Sequence, residues 1–393
     1  MVASVVALEM TAGTSVKSLL APIKAELDAV EIRLRSTDED EFPLLHLALD
    51  RVFGSGGKRL RPALAILGTQ AGPQPVETRR AVALGAAMET LHTASLVHDD
   101  LIDNAFVRRG LPTLNAWMTP AATVLAGDFL FARAAVLITE TEHVGVIARF
   151  ADSLRQLCDG ELRQLFRNTL VTIPGLARSL GIDLPGQEGS LPTPSIATVE
   201  DALAILPTEE DYERRITGKT AALFATSAQT GAMLSGAGPD AVAALGRYGL
   251  CLGRAFQVVD DVLDFTSTEA ELGKPVGSDL RQGHITLPAI RFAQSHPAEW
   301  HAWVQRIPQL VKGSDYIFGE APEGSGRSSS TPAQETALGE LTARIASSDG
   351  VRLALSAAAD YAREAQDALA AIRPSHARTI LHDLAEYVVE RSC

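Results

Sequence analysis

The chain has 393 residues, of which 46% are hydrophobic, enough for one large core or two ordinary ones. Its net charge of −13 leaves no dominant basic stripe and argues against a general nucleic-acid binder. Three scattered cysteines without a C-x-x-C or zinc spacing disfavour disulfides and structural zinc, so we expect a cytoplasmic protein.

Helix-spaced apolar residues, many of them Ala and Leu, run through most of the chain and predict an all-α fold. The predicted helices span 15–35, 43–53, 61–70, 76–103, 119–139, 145–167, 209–235, 239–265, 287–294, 297–311, 334–346, 350–371 and 375–391.

Two stretches interrupt this helical pattern. Residues 170–206 and 313–333 are rich in Pro, Gly and Ser, which is typical of surface insertions or linkers. No uninterrupted apolar run reaches transmembrane length, since the closest one, 121–138, contains Asp128 and Arg133. We therefore expect a soluble protein, with at most a transient membrane contact, for example through residues 172–185.

The first basic motif is GGKRLRP at residues 56–62, just before a predicted helix. A helix N-terminus flanked by cations, here Lys58, Arg59 and Arg61, is a favourable anion site. The motif is not a P-loop, because no Ser or Thr follows the lysine. An ordinary basic loop is the alternative interpretation.

An acidic pentad, Asp-Asp-x-x-Asp, occurs twice in the chain. Its members are Asp99, Asp100 and Asp103 in the first copy and Asp260, Asp261 and Asp264 in the second. Residues four apart share a helix face, so carboxylates crowd together and repel one another. Mg²⁺ would relieve this repulsion and bridge the carboxylates to a substrate diphosphate. A solvated acidic helix face is the alternative.

Further basic residues follow each pentad or lie between them. Arg108 and Arg109 follow the first pentad by five and six residues and suit bidentate phosphate binding. In RRITGKTA at 214–221, Lys219 is predicted to face a phosphate beside Thr220. Lys274 opens a glycine-rich loop, 273–288, which could close as a lid over the substrate.

Taken together and in this order, these motifs resemble those of the trans-isoprenyl (polyprenyl) diphosphate synthases. The matching blocks are GGKRLRP, HTASLVHDDLIDNAFVRRG, AGDFLFARA, GELRQL, GKTAALF, FQVVDDVLDF and GKPVGSDLRQGHITLP. The resemblance implies one domain over 1–393 with the isoprenoid synthase fold, a helical bundle around a deep central cavity, usually in a homodimer. The two insertions depart from the family pattern.

The resemblance also implies a role for each site residue. The aspartates would bind about three Mg²⁺ ions and the allylic diphosphate. The catalytic residues would be Asp99, Asp103, Asp260 and Lys219. The allylic diphosphate would contact Arg108, Lys219, Gln257 and Lys274, whereas isopentenyl diphosphate would contact Lys58, Arg61, His92 and Arg109. The reaction would be a head-to-tail condensation in which pyrophosphate removes the proton.

Helix geometry predicts the product length. The growing tail is expected to run down the helix of the first pentad, where one turn of about 5.4 Å spans roughly one isoprene unit. Ala94 and Ser95 precede Asp99 by five and four residues, and both are small, whereas short-chain members of the resembling family carry an aromatic there. We therefore predict a long chain of about six or more units. Leu91, Met88, Phe129 or Phe131 would form a lower floor.

Several functions remain as alternatives. A short-chain farnesyl or geranylgeranyl diphosphate synthase would share every motif and differ only in the floor of the cavity. A class I terpene cyclase usually replaces the second pentad by an Asn/Ser/Glu arrangement. A regulatory subunit of a heteromeric synthase is expected to have lost aspartates or arginines that this chain retains.

Overall fold

The computed structural model describes residues 15–36, 42–54, 56–108, 110–166, 197–204, 206–272, 275–307, 310 and 331–391. Within these residues the fold is all-α, as predicted, apart from one small hairpin. Its helices, numbered in chain order, are α1 (Val16–Leu19), α2 (Lys24–Arg35), α3 (Pro43–Gly54), α4 (Leu60–Thr69), α5 (Thr78–Ile102), α6 (Pro120–Thr139), α7 (Val144–Phe166), α8 (Val199–Ala204), α9 (Glu209–Ile216), α10 (Ala222–Leu234), α11 (Pro239–Thr266), α12 (Glu269–Leu272), α13 (Ser278–Arg281), α14 (Leu287–Ser295), α15 (Pro297–Arg306), α16 (Pro332–Ala346), α17 (Asp349–Ala368) and α18 (His376–Glu390).

Short elements connect these helices. Strands β1 (Val107–Arg108) and β2 (Leu111–Pro112) pair antiparallel, with Arg108 opposite Leu111. Gly110 lies in their turn at φ 74°, a conformation that a glycine adopts without strain. A π-helical turn, Thr217–Ala221, joins α9 to α10, so the single helix predicted over 209–235 is wrong in this detail.

The described parts of the two predicted insertions contain helices. Residues 199–204 form α8, whose Ala202 is buried and accepts a hydrogen bond of 3.0 Å from the buried Trp300 indole N–H on α15. The second insertion ends by Thr331, which forms a capping box with Gln334 at the start of α16. Residues 170–196 and 313–330, including the proposed membrane segment 172–185, lie outside the described residues.

Two hydrophobic cores lie side by side. The first is built around α4, α5, α6 and α10, and the second around α14, α15 and α16. Helices α11 and α17 pack against each other and contribute to both cores. Small side chains on α17, such as Ala354, Ala358 and Ala362, recur every four residues and let the two helices approach closely. This central pair fixes the second acidic pentad, on α11, relative to the first core.

Helix α6 is the one described helix that is long and apolar enough to cross a membrane. Its buried stripe, which includes Ala126, Leu130 and Ala134, belongs to the first core and packs along α5. A helix that is buried in a protein core can have the length and apolar composition of a membrane-spanning helix without crossing a membrane. Its opposite face exposes Leu125 and Val136.

Candidate active site

The first acidic pentad lies at the C-terminal end of α5. Asp99 and Asp100 are buried in the last turn, whereas Asp103 directly follows the helix and its N–H donates to the Asp99 carbonyl at 2.8 Å. The helix predicted over 76–103 therefore ends at the first pentad, as the sequence indicated. Asp100 faces the hairpin, where it accepts a hydrogen bond from Arg108 Nε at 2.8 Å. Burial raises the pKa of Asp100, and Arg108 offsets part of this shift.

Lys219 connects this pentad to a second acidic group. Its Nζ lies 3.3 Å from Asp99 Oδ2 and 3.1 Å from Oε1 of Glu161 on α7. Burial lowers the pKa of Lys219, but the charges of Asp99 and Glu161 outweigh it and the pKa is raised, so the lysine keeps its charge. Burial likewise raises the pKa of Glu161, against the opposing charge of Lys219.

The π-helical turn gives Lys219 this position. Gly218 in the turn packs against Gly160 on α7 so closely that a Cβ on Gly160 would lie 3.1 Å from the Gly218 carbonyl carbon. Neither position can hold a side chain without moving backbone. Single π turns inside helices often occur at functional sites, because the extra residue redirects a side chain. Here the turn directs Lys219 to the first pentad, while the Thr220 hydroxyl donates to Gln257 Oε1 at 2.7 Å.

The second pentad lies inside α11 and is held by uncharged donors as well as by a cation. Asp261 is buried and accepts hydrogen bonds from the Tyr212 hydroxyl at 2.7 Å and from Gln257 Nε2 at 2.9 Å. Burial raises the pKa of Asp261 to about 6, although Arg215, Gln257 and Tyr212 favour its charged form. Asp260 is paired with Arg391, next to the end of α18.

Asp264 anchors the loop that follows the second pentad. Its Oδ2 accepts a hydrogen bond from the Asp279 backbone N–H at 3.0 Å, and its carbonyl accepts one from Gly277 N–H at 2.8 Å. Asp261 and Asp264 thus both have protein donors at their carboxylates. Their metal-binding role stays a prediction, and the structure adds a positioning role that the sequence did not indicate.

A continuous set of contacts joins the two pentads. Asp99 contacts Lys219, the adjacent Thr220 donates to Gln257, and Gln257 donates to Asp261. The two acidic clusters therefore belong to one site. This is the arrangement expected for carboxylates that share a diphosphate between them.

The predicted basic residues are distributed over different parts of this site. His92 and Arg108 line a cavity of about 70 Å³ between α3, α5 and the hairpin, together with Arg51 and Arg59. Lys58 lies over the Tyr387 ring of α18, 5.9 Å from its centroid. Neither Lys58 nor Arg61 lines this cavity, and the predicted contacts at Arg109 and Lys274 lie outside the described residues.

The residues predicted to control chain length lie inside the first core. Leu91 and Ala94 are fully buried, and Ser95 is nearly so. The Ser95 hydroxyl donates to the His92 carbonyl of its own helix at 2.7 Å, so it needs no other polar partner. No aromatic side chain stands at either position, as the sequence showed.

A family model described as polyprenyl synthetase matches residues 42–315. The chain belongs to the polyprenyl synthetase family. It is therefore a prenyltransferase, as the motifs predicted, and the all-α isoprenoid synthase fold is confirmed.

Relatives match this polyprenyl synthetase over nearly its whole length. It is 32% identical over 378 residues to the prenyl transferase of Synechocystis sp., covering 96% of this chain and 99% of the relative. It is also 31% identical over 378 residues to heptaprenyl diphosphate synthase component 2 of Geobacillus stearothermophilus, covering 95% of this chain and 98% of the relative.

Solved structures show the same fold. The polyprenyl synthase of Caulobacter crescentus, complexed with calcium and isoprenyl diphosphate, has a TM-score of 0.73 and 29% identity, covering 96% of this chain and 98% of that one. The decaprenyl diphosphate synthase of Rhodobacter capsulatus has a TM-score of 0.72 and 30% identity, covering 96% and 99%.

Polyprenyl synthetases depend on Mg²⁺, and the donor set of this polyprenyl synthetase fits that ion. Asp99, Asp103 and Asp260 offer oxygen ligands only, which suits a hard divalent cation. Two of these carboxylates are neutralised by the cations Lys219 and Arg391, as expected where a positive charge is needed. Protein donors orient Asp100, Asp261 and Asp264, as outer partners orient carboxylates around metal sites.

Three residues of this site escaped the sequence reasoning. Glu161 lies within the GELRQL block, so a signal for it was present but not interpreted. Arg391 ends the C-terminal block AEYVVER, which also resembles the family's end, but no role was predicted for it. Tyr212 carried no local signal, because it reaches Asp261 from an element distant in sequence.

Proposed function

We propose that this polyprenyl synthetase condenses isopentenyl diphosphate head-to-tail onto an allylic diphosphate to give an all-trans long-chain polyprenyl diphosphate. Geranyl, farnesyl or geranylgeranyl diphosphate would serve as the primer. The long-chain class agrees with relatives named heptaprenyl and decaprenyl diphosphate synthases. The observation that carries the proposal is the set of contacts from Asp99 through Lys219 and Thr220 to Gln257 and Asp261.

The charges of the site suit ionisation of an allylic diphosphate. Mg²⁺, about three ions held mainly by Asp99, Asp103 and Asp260, would supply Lewis-acid stabilisation of the departing pyrophosphate. Lys219 keeps its charge because Asp99 and Glu161 surround it, and it would stabilise the same leaving group. Arg108 and Gln257 would orient the allylic diphosphate from either side, with Lys274 as a further contact.

The second substrate would bind at the basic side of the site. Lys58, Arg61, His92 and Arg109 would hold isopentenyl diphosphate with its double bond toward the allylic carbon. Once the allylic cation forms, the double bond attacks it, and the departing pyrophosphate accepts the proton, so no protein base is required. The apolar core below Asp99 would exclude water from the cation.

The direct test is an assay of the purified chain with Mg²⁺, isopentenyl diphosphate and each of the three primers. Products are dephosphorylated and sized by chromatography, with an EDTA control. A Mg²⁺-dependent polyprenol of about six or more units is expected, at roughly one unit per turn of α5. A product of three or four units would contradict the long-chain assignment. No elongation with any primer would contradict the proposal that the chain is active without a second subunit.

The path of the tail has its own test. Ala94→Phe would place a ring in the fully buried position one turn before Asp99, and it should shorten the product. Ser95→Ala keeps the neighbouring position small and is the control, with no change of length expected. An unchanged product in Ala94→Phe would contradict a tail that runs down α5.

The subunit arrangement is a further part of the proposal. We propose a homodimer through the outer face of α6, which exposes Val124, Leu125 and Val136. The similarity to a synthase component in Geobacillus makes a second, different subunit the alternative. Activity of the purified chain alone, with its mass measured by light scattering, distinguishes the two. A cytoplasmic location and a transient membrane contact for product release complete the proposal.

A further inference from the structure

Arg59, within the basic motif at residues 56–62, has an unusual backbone. It directly precedes α4 with φ 48° and ψ 38°, the left-handed region that side chains other than glycine rarely adopt. Such a conformation persists only where surrounding contacts hold it. The side chain of Arg59 supplies these contacts.

The Arg59 guanidinium is buried among three other helices. Its Nη1 donates to Glu89 on α5 at 2.7 Å, and its Nη2 donates to the Phe53 carbonyl on α3 at 3.2 Å. Its Nε and Nη2 both donate to the carboxylate of Glu31 on α2, the latter at 3.3 Å. Only 12% of the Arg59 side chain and 7% of the Glu89 side chain are exposed.

These contacts separate Arg59 from the other two cations of its motif. Lys58 extends toward Tyr387 on α18, and Arg61 lies over Phe224 on α10, with its Cζ 4.8 Å from the ring centroid. Arg59 instead contacts α2, α3 and α5 and is neutralised by two carboxylates. Although it borders the cavity that contains His92, its N–H groups are directed to Glu31, Glu89 and Phe53.

We propose that Arg59 is a positioning residue for isopentenyl diphosphate. The hydrogen bonds of its guanidinium to Glu31 and Glu89, called the fork below, hold the left-handed backbone between Lys58 and Arg61. They thereby set the direction of the two cations proposed to bind the diphosphate. Glu89 lies three residues before His92 on α5, so the same contact ties the loop to a third predicted ligand. This inference rests on the proposed function.

The test is steady-state kinetics of the full chain, varying isopentenyl diphosphate and the allylic primer separately. Arg59→Asn is the sharpest variant, because Asn tolerates left-handed backbone and the change removes the fork with little added strain. It should raise the KM for isopentenyl diphosphate by about tenfold or more, since small misplacements of binding groups are costly. The KM for the primer should change less than about threefold, well below that effect.

Glu31→Gln separates positioning from direct binding. It weakens the fork at a residue placed behind Arg59, so a positioning role predicts the same selective change, smaller because Glu89 remains. If Arg59 instead contacts the diphosphate directly, Glu31→Gln should not raise the KM for isopentenyl diphosphate. That result would overturn the proposal. Glu31→Gln also carries the test if Arg59→Asn does not fold.

Arg344→Gln is the matched control. Arg344 forms a two-pronged pair with Glu299 at 2.7 and 3.0 Å, joining α16 to α15 in the second core. Loss of this pair should reduce stability without a selective effect on either KM. If Arg59→Asn behaves like Arg344→Gln, the positioning role is wrong. An inactive wild-type chain would instead contradict the proposed function itself, and the inference with it.

Discussion

The two acidic pentads have the same sequence pattern but occupy different environments. The first lies where α5 ends, and cations hold it: Lys219 beside Asp99 and Arg108 beside Asp100. The second lies inside α11, where Asp261 is held by the uncharged groups of Tyr212 and Gln257 and Asp264 by a backbone N–H. Asp260 differs from Asp261 in that it forms a direct ion pair, with Arg391.

This difference in the partners of the carboxylates implies different roles for the two pentads. Carboxylates paired with cations can exchange those partners for metal ions, because the charge balance is preserved. Carboxylates fixed by neutral donors inside a helix keep their geometry whether or not an ion binds. We therefore expect the second pentad to divide, with Asp260 at the metal site and Asp261 and Asp264 holding the surrounding structure.

The largest effect on kcat should come from substituting the aspartates that are paired with cations. Asp99→Asn and Asp260→Asn should each lower kcat by at least about 100-fold, the usual cost of removing one preorganised electrostatic contact. Asp264→Ala should instead reduce the free energy of unfolding, by about 1–3 kcal/mol, because the Asp279 N–H loses its acceptor. Kinetics and urea unfolding of all three measure this. If Asp260→Asn and Asp264→Ala change kcat and the free energy of unfolding to the same extent, Asp260 and Asp264 do not have separate roles.

Tyr212→Phe should have the next largest effect, through Asp261. Removing the hydroxyl takes away one of the donors that fix this carboxylate beside Asp260, the predicted metal ligand, and loss of such an outer partner typically weakens metal affinity about tenfold or more. The Mg²⁺ concentration for half-maximal activity should rise accordingly. Tyr361→Phe is the control, because Tyr361 donates to Glu213 at 2.7 Å and to neither pentad. A similar Mg²⁺ requirement in both variants would show that Tyr212 does not act through the metal site.

The sequence predicted the helices well because most are long and strongly periodic, and several begin at a clear signal such as Thr331. It also placed both pentads and Lys219 in one site. It did not predict the π turn at Lys219, which depends on two glycines, Gly160 and Gly218, from separate helices. Nor did it predict α8, a short helix in a Pro- and Gly-rich stretch that is held by the distant Trp300.

The partners of the aspartates were unpredictable for a related reason. Tyr212 is 49 residues from Asp261, and Arg391 is 131 residues from Asp260. No local pattern assigns such residues to an aspartate, although Arg391 lies in the C-terminal block AEYVVER that resembles the family's end. Only packing of α9 and of the chain after α18 against α11 brings them to the site.

The pH dependence of stability offers a finer comparison. The pKa of Asp261 is raised from 3.8 to about 6 by burial, so this group stabilises the metal-free fold at low pH and loses that contribution as pH rises through 6. Relative to Asp261→Asn, the wild-type chain should lose stability on the order of 1 kcal/mol between about pH 5 and 7.5. Urea unfolding in EDTA measures this difference. Asp100→Asn should show less change, because Arg108 offsets burial there, and a pH-independent Asp261 difference would contradict the assignment.

The smallest effect is expected at Arg391, which tests whether Asp260 exchanges its partner. Arg391 stacks on Phe256, with its Cζ 3.9 Å from the ring centroid, and donates to the Phe256 carbonyl at 2.9 Å as well as to Asp260. Arg391→Met should destabilise the metal-free chain by about 1 kcal/mol, since Asp260 is partly exposed and water can replace the lost charge partner. Added Mg²⁺ with inorganic pyrophosphate should reduce this deficit in thermal unfolding, because the ion then balances Asp260. Arg373→Met, whose guanidinium donates only to the Gly72 carbonyl among the described contacts, should show the same deficit with and without Mg²⁺. A deficit in Arg391→Met that Mg²⁺ does not change would mean that Asp260 contributes no metal ligand.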